Sequence, residues 1–161
     1  MTMPQLISIA YQPRDRAYDD PMSDFIRVPV ETATLVANHG IDGDRKAGHN
    51  KTRQVNLLSA EWLAARAAEG YRAGPGQFGE QIIIEGLAVE TLPAGTLLAI
   101  GPEAIIAITK GRTGCERLQA VQPMPTAKLS PIGALARVVM GGPIRVGDAV
   151  RVLEPAGEQA V

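Results

Sequence analysis

The stretch TLLAIGPEAIIAITK, residues 96–110, consists of two short apolar runs separated by Gly101, Pro102 and Glu103. Each run has the length of a strand, and the second is rich in isoleucine, which favours extended backbone. Glycine and proline together mark a turn. The pattern therefore predicts two strands, Thr96–Ile100 and Ala104–Lys110. Since this is the richest apolar stretch of the chain and it is broken after five residues, no segment reaches the roughly 18 apolar residues that cross a membrane as a helix.

Similar short runs recur along the chain, and its 17 glycines and 12 prolines are spread between them. Further strands are predicted at 6–10, 25–36 (one strand or two, interrupted at Pro29), 54–58, 80–84, 134–140 and 148–153. One clear α-helix is predicted at about 59–69, with Ser59 as its N-cap and Gly70 ending it. Many short strands with one helix and short helical turns predict a mainly β protein, a small closed β-barrel.

We expect one domain spanning residues 1–161, with an N-terminal strand and mobile loop in 1–24 and a short C-terminal tail at 154–161. Sixteen basic and 17 acidic residues give a net charge of -1, and only 4% of residues are aromatic. That composition disfavours nucleic acid as a partner, because phosphate binding and base stacking need basic and aromatic excess. The N-terminus has no signal-peptide pattern, so we expect a cytoplasmic protein without membrane association.

The single cysteine, Cys115, lies in the segment 111–117, GRTGCER, directly after the second apolar run. A lone cysteine is often a small buried hydrophobe. Here two arginines flank it, and nearby cations favour the thiolate, which is both a nucleophile and a metal ligand. The residues alone leave a reactive or ligating Cys115 and a packed one as open alternatives. One cysteine cannot form an internal disulfide or hold an iron–sulfur cluster.

A second dense segment, GIDGDRKAG at residues 40–48, combines three glycines with Arg45 and Lys46. Such a loop is either a polar turn or an anion site, in which backbone amides and the two cations surround the charge. Calcium is disfavoured because the EF-hand spacing is missing. His39 and His49 together with Cys115 are a less favoured set of metal ligands.

Taken in order, several segments resemble the MOSC domain, the C-terminal domain family of molybdenum cofactor sulfurase. The resemblance covers about residues 35–153, and the segments that carry it are 40–48, 53–61, 78–81, 86–101, 112–115, 136–138 and 141–148. It implies a β-barrel-like domain whose cysteine carries a persulfide or binds the molybdenum of molybdopterin. The resemblance assigns both roles to Cys115. It implies that Arg45 and Arg53 occupy positions suited to hold the phosphate of the pterin, and that Arg112 and Thr113 lie closer to the metal. Lys46 is counted with these cofactor-binding residues because of its positive charge.

Three positions depart from the usual family pattern: Lys46 replaces a histidine, Gly114 a proline and Gln81 an asparagine. Lys46 keeps the positive charge, whereas Gly114 loosens the loop that positions the thiol. We further expect the loops bearing Arg45 and Arg112 to meet at one mouth of the barrel, around Cys115.

The resulting hypothesis is a molybdenum-cofactor-binding or sulfur-carrier protein that uses a single reactive cysteine, with the terminal component for reduction of N-hydroxylated compounds as a candidate role. Its partner is then a separate reductase as electron donor, or a cysteine desulfurase, a pyridoxal-phosphate enzyme, as sulfur donor. In the second case no cofactor is needed beyond a Cys115 persulfide. The alternative is a non-catalytic β-barrel that binds a small anion or a partner protein. The chain is expected to be a monomer or a homodimer.

Overall fold

Eleven strands and three α-helices make up the part of the chain that the structure, a computed structural model, describes, residues 3–153. The strands are β1 (Gln5–Tyr11), β2 (Val28–Val30), β3 (Thr32–Val36), β4 (Gly40–Ile41), β5 (Val55–Ser59), β6 (Ile82–Glu85), β7 (Leu97–Ile100), β8 (Ala104–Gly111), β9 (Ala134–Met140), β10 (Gly142–Arg145) and β11 (Val150–Leu153). The helices are α1 (Pro21–Phe25), α2 (Ala60–Glu69) and α3 (Glu116–Val121), with a 3-10 turn at Val89–Thr91. The predicted tail at 154–161 lies outside the described residues.

Two sheets result, and the prediction of a mainly β fold is confirmed. Eight strands form the main sheet in the order β11-β7-β8-β9-β5-β6-β1-β2, and β10-β3-β4 form a second sheet. The pairing of β5 with β6 is parallel and the other pairings of named strands are antiparallel. Helix α2 connects the two parallel strands, as a parallel pairing requires a crossover.

The prediction of a closed barrel is wrong, because the main sheet has two ends, β11 and β2, that do not pair with each other. Strand β2 is three residues long and contains Pro29, which has no N–H to donate to another strand. Near the other end, β1 approaches the start of β11 through an isolated bridge of Gln5 with Ala149 and three backbone hydrogen bonds: Leu6 N to Asp148 O, Gly147 N to Leu6 O and Val150 N to Pro4 O. These contacts do not extend into a ladder between the two strands, so the sheet remains open.

Helix α2 confirms the sequence prediction at both ends. The Ser59 hydroxyl accepts the amide of Trp62 at 3.3 Å, and Gly70 ends the helix with a φ of 105°. The segment 14–24, predicted as a mobile loop, contains most of α1. Asp20 caps that helix through a capping box with Ser23, and Pro21 occupies its first turn. Consequently Phe25, predicted to begin a strand, instead ends α1.

The interior consists of two groups of buried apolar side chains. The larger joins the main sheet to the second sheet and includes Leu6, Leu57, Ile82 and Ile106. The smaller lies beneath α2 and α3 and is centred on Phe78, which packs edge-on against Trp62 at 5.3 Å between ring centroids. Within residues 3–153, no helix is long and apolar enough to cross a membrane.

Candidate functional site

Cys115 lies at the start of α3, in the loop that follows β8. The backbone carbonyl of Cys115 accepts the amide of Gln119 at 3.2 Å, whereas the thiol makes no capping hydrogen bond. The side chain is exposed. Cys115 is therefore not a packed hydrophobe, and its sulfur is accessible to a ligand or a reagent.

The thiol borders a cavity of about 400 Å³, here called the Cys115 cavity. Its wall comes from the end of α1, the loop before β5, strand β5, the start of β6 and the β8–α3 loop. Five cationic side chains line it, and no carboxylate among the described residues does: Arg27, Lys46, Arg53, Arg112 and Arg117. Like charges gathered in a concave surface concentrate a positive potential, so the cavity favours an anionic ligand.

Arg112 is the most constrained of these cations. It is 4% exposed, and its Nη2 donates to the carbonyl of Phe78 at 2.6 Å. Its Nη1 is buried and has no hydrogen-bond partner among the described residues. Burial, together with the nearby positive charge of Arg27, lowers the pKa of Arg112 to about 10. A buried guanidinium with an unsatisfied donor is stabilised by an anion that accepts from it.

Arg27 has the same two properties, although it comes from a different part of the chain. Its Nε donates to the carbonyl of Gly79 at 2.6 Å, and its Nη1 is buried without a partner in the described chain. Burial lowers the pKa of Arg27 as well. The backbone of Gly76 approaches so closely that a Cβ there would lie 2.3 Å from the Arg27 carbonyl oxygen. Glycine at this position, with a φ of 81°, is therefore required to seat Arg27.

Glu80 organises the turn that holds both arginines. Its fully buried carboxylate accepts the amides of Gly76 and Phe78, which shapes the turn whose carbonyls bind Arg27 and Arg112. Burial raises the pKa of Glu80, while those amides and the charge of Arg112 act in the opposite direction. Glu80 thus supports the two arginines from behind the cavity wall without lining it.

Lys46 is supplied by the 40–48 loop. That loop is anchored by the buried carboxylate of Asp44, which accepts from the backbone of Gln12 and Lys46 and from the side chain of Gln81. Lys46 is partly buried, and burial lowers its pKa, as do the nearby charges of Arg117 and other arginines. Lys46 therefore lies close enough to Arg117 and Arg27, which line the same cavity, for their charges to disfavour its protonated form.

Arg45, the residue before it, does not line the cavity. Its Nη2 binds the Asp24 carboxylate at 2.6 Å, its Nε donates to Gln12 Oε1 at 2.9 Å, and its guanidinium stacks on the Tyr18 ring at 3.8 Å from the centroid. The hydrogen bond from Arg45 is the main reason that the pKa of Asp24 is lowered. The structure therefore brings Lys46, Arg53, Arg112, Thr113 and Cys115 together and leaves Arg45 beside them, engaged in other contacts.

Sequence reasoning did not assign Arg27 to the site and treated Arg117 only as a neighbour of the cysteine. A charged residue inside the apolar run Phe25–Val28 was the available signal for Arg27. The histidine and cysteine metal set finds no support, because the described residues contain no group of three His, Cys, Asp or Glu side chains placed to hold a metal ion. His49 does line the Cys115 cavity, where its Nε2 lies 3.0 Å from the Arg45 carbonyl oxygen.

Comparison with known proteins identifies the family of this chain. The model of the MOSC domain matches residues 42–151, more than half of the chain and all of the β8–α3 loop. The chain belongs to the MOSC domain family. Membership in that family points to a role related to the molybdenum cofactor in general. No curated protein matches the chain.

Solved structures show the same MOSC fold at low sequence identity. YuaD from Bacillus subtilis is 16% identical with a TM-score of 0.70, and the match covers 94% of this chain and 96% of that one. YiiM from Geobacillus stearothermophilus is 18% identical with a TM-score of 0.67, over 94% and 75% of the two chains. YiiM from Escherichia coli is 17% identical with a TM-score of 0.65, over 94% and 71%. At these identities the likeness concerns the fold alone.

Proposed function

We propose that this MOSC domain binds the molybdenum cofactor in the Cys115 cavity, with Cys115 as the protein ligand of the metal. The observation that carries the proposal is the composition of the cavity wall: five cations, no carboxylate among the described residues, and an accessible thiol. In this proposal the cations bind the phosphate of the pterin, and the soft thiolate is a suitable ligand for molybdenum. A volume of about 400 Å³ lies within the range of roughly 300–1,000 Å³ usual for small-molecule sites.

The buried arginines provide the test of fit. Arg27 and Arg112 each have one guanidinium nitrogen without a partner in the described chain, at the wall of the cavity. Leaving such a donor unsatisfied costs about 1–3 kcal/mol, more for a charged group. A phosphate oxygen relieves that cost, so the donor set fits a phosphorylated ligand. Lys46 is partly buried and Arg53 is exposed. These two side chains add positive charge to the cavity without needing a fixed geometry.

The residues that line the Cys115 cavity then have separate roles. Cys115 provides the sulfur ligand, and Thr113, two residues before it in the cavity wall, offers a hydroxyl to a bound group. Arg27 and Arg112 are held by the carbonyls of Gly79 and Phe78 before any ligand arrives, so little reorganisation is needed on binding. When bound, the molybdenum cofactor supplies the two-electron chemistry that cleaves the N–O bond of an N-hydroxylated compound.

Two partner classes follow from this proposal. The sequence has no dinucleotide-binding motif and too few cysteines for a cluster, so electrons for such a reduction come from a separate reductase. In a sulfur-carrier role, the Cys115 thiolate attacks the outer sulfur of a persulfide on a cysteine desulfurase. A new S–S bond forms at Cys115, the donor S–S bond breaks, and the donor cysteine leaves as a thiolate.

Native mass spectrometry under non-reducing conditions, with molybdenum measured on the same sample, tests the proposal. The protein is produced in a host that makes the cofactor, alongside Cys115→Ser and, as a control, Thr34→Ser, at an exposed position on β3 that does not line the cavity. We expect a molybdopterin-sized adduct with about one molybdenum per chain, lost in Cys115→Ser and kept in Thr34→Ser. One added sulfur without metal on the wild-type protein establishes the sulfur carrier instead. A bare chain contradicts both and leaves an anion-binding domain without this chemistry.

A further inference from the structure

A second cavity adjoins the Cys115 cavity and continues its positive wall. It measures about 690 Å³ and lies between the turn after β3, the 48–51 segment and strand β9. His49, Asn50 and Gln54 line both cavities, so the two lie side by side and are together called the groove. The Cys115 cavity occupies one end of this groove, and the second cavity occupies the other.

Charge is strongly sorted along this groove. The second cavity adds Lys51 and Arg137 to the five cations already described. Seven of the 16 basic residues of the chain therefore line the groove, whereas none of its acidic residues does in the described part. Carboxylates outside the wall offset part of this charge, since Arg117 lies 3.7 Å from Asp24 and Glu80 lies behind Arg27 and Arg112. In a chain with a net charge of -1, the groove still has an excess of positive charge.

Gln54 connects the two cavities chemically. Its side chain is 3% exposed, and its Oε1 accepts the amide of Val138 at 2.8 Å. That bond fixes the orientation of the amide and leaves the Nε2 donors for the two cavities that Gln54 lines. Asn38 and Asn50 contribute further amides to the second cavity. Cations next to several amides suit a phosphate followed by the hydroxyl and ring atoms of a nucleoside.

We propose that the second cavity binds the second phosphate and the nucleoside of a ligand whose first phosphate lies in the Cys115 cavity. The ligand class is thus a nucleoside diphosphate, free or attached to a larger group. This inference rests on the proposed function, because it takes the Cys115 cavity as the site of the first phosphate. It extends that function by assigning Lys51 and Arg137 to the second phosphate and Gln54 to the position between the two.

Binding of inorganic phosphate, which represents the first phosphate alone, and of ADP, measured by isothermal titration calorimetry at fixed salt, tests the inference. Each exposed ion pair contributes up to about 1 kcal/mol, so the two cations that meet the second phosphate correspond to roughly a tenfold tighter affinity for ADP than for inorganic phosphate. In the double variant Lys51→Gln/Arg137→Gln, we expect this ratio to fall to about twofold. Arg151→Gln is the matched control, since Arg151 is an exposed arginine on β11 that lines neither cavity.

Equal affinities for inorganic phosphate and ADP, or a ratio unchanged in the double variant, overturn the inference. They leave the proposed function standing, because that function is judged by the binding of inorganic phosphate and by the molybdenum content of the protein. Failure of both ligands to bind overturns the assignment of phosphate to either cavity. Tighter binding of a single-stranded oligonucleotide than of ADP, with the same dependence on Lys51 and Arg137, replaces the small ligand with a nucleic acid.

Discussion

Arg45 and Arg112 lie in the two glycine-containing loops that the sequence assigned to one ligand, but the structure treats them differently. Arg45 is surrounded by protein partners: a carboxylate, an amide oxygen, a backbone carbonyl and an aromatic face. Arg112 is more deeply buried, yet it has one carbonyl partner and a nitrogen with none in the described chain. The difference between the two side chains is therefore one of partners and not of residue type.

This contrast separates a structural arginine from one available to a ligand. A guanidinium whose donors are satisfied gains little from a further anion, whereas a buried one with a free donor gains a charge-assisted hydrogen bond. Arg27 behaves like Arg112, and Arg45 joins the 40–48 loop to α1. The ligand-binding cations are thus expected to be the ones held by carbonyls of the 76–79 turn.

Replacement of Glu80, which supports both buried arginines, is expected to have the largest effect on stability. In Glu80→Ala, the buried amides of Gly76 and Phe78 lose their acceptor, and two buried guanidiniums lose a compensating charge. We expect the free energy of unfolding to fall by about 3–5 kcal/mol, as measured by urea denaturation. Glu80→Gln, which keeps the volume and one acceptor oxygen, is the control, with an expected loss of about 1–3 kcal/mol. Equal stability of Glu80→Ala and the wild type contradicts the support role of this carboxylate.

Affinity for phosphate distinguishes the two arginines directly. We expect Arg112→Gln to weaken phosphate binding about tenfold, corresponding to roughly 1.4 kcal/mol, because a buried charge-assisted contact is lost. Arg45→Gln is expected to change it less than about threefold, since Arg45 does not line the cavity and acts only through its distant charge. Calorimetric titration with inorganic phosphate measures both.

Arg53→Gln is a second variant of the same cavity, chosen so that a loss of phosphate binding is not caused by a folding defect. Arg53 is exposed and lines the Cys115 cavity, so its replacement leaves the buried network intact and is still expected to weaken phosphate binding by a few fold. A larger loss in Arg45→Gln than in both Arg112→Gln and Arg53→Gln would reverse the assignment.

Local signals in the sequence were sufficient for most of the secondary structure. Ser59 and Gly70 mark the two ends of α2, and nine of the eleven strands in the described residues fall within or overlap the predicted runs. The short strands β4 and β10 were not predicted, because neither is an apolar run. Closure of the sheet was not predictable in the same way, because it depends on whether β2 and β11, more than 110 residues apart, are paired. Both the short spacing of the strands and the family resemblance predicted a barrel, whereas the pairing of particular strands shows an open sheet.

The residues of the candidate site likewise divide into those that local sequence identifies and those that depend on distant contacts. Cys115, Arg112 and Thr113 are adjacent in one short motif, so sequence reading found them together. The role of Arg27 depends on the carbonyl of Gly79, 52 residues away, and that contact leaves no local pattern. The engagement of Arg45 depends on Asp24 of α1, in a segment that the sequence presented as a loop. Motifs therefore identify candidate residues, whereas long-range partners decide which of them are free.

The smallest expected effect concerns the stability that Arg45 contributes. Because both side chains of the Arg45–Asp24 pair are partly exposed, Arg45→Ala is expected to lower the free energy of unfolding by only about 1 kcal/mol at neutral pH. The pKa of Asp24 is lowered from its usual 3.8 in the folded state, so the ionic part of this contribution is complete above that value. It is lost as the pH falls through the lowered pKa. Urea denaturation of wild type and Arg45→Ala from pH 7 to pH 2 should therefore show two stability curves that converge in acid.

Arg16→Ala provides the control, since Arg16 lies 6.0 Å from the same Tyr18 ring and forms no ion pair in the described chain. A gap between wild type and Arg45→Ala that stays constant down to pH 2 would show that Arg45 acts through Gln12 and Tyr18 and not through the carboxylate.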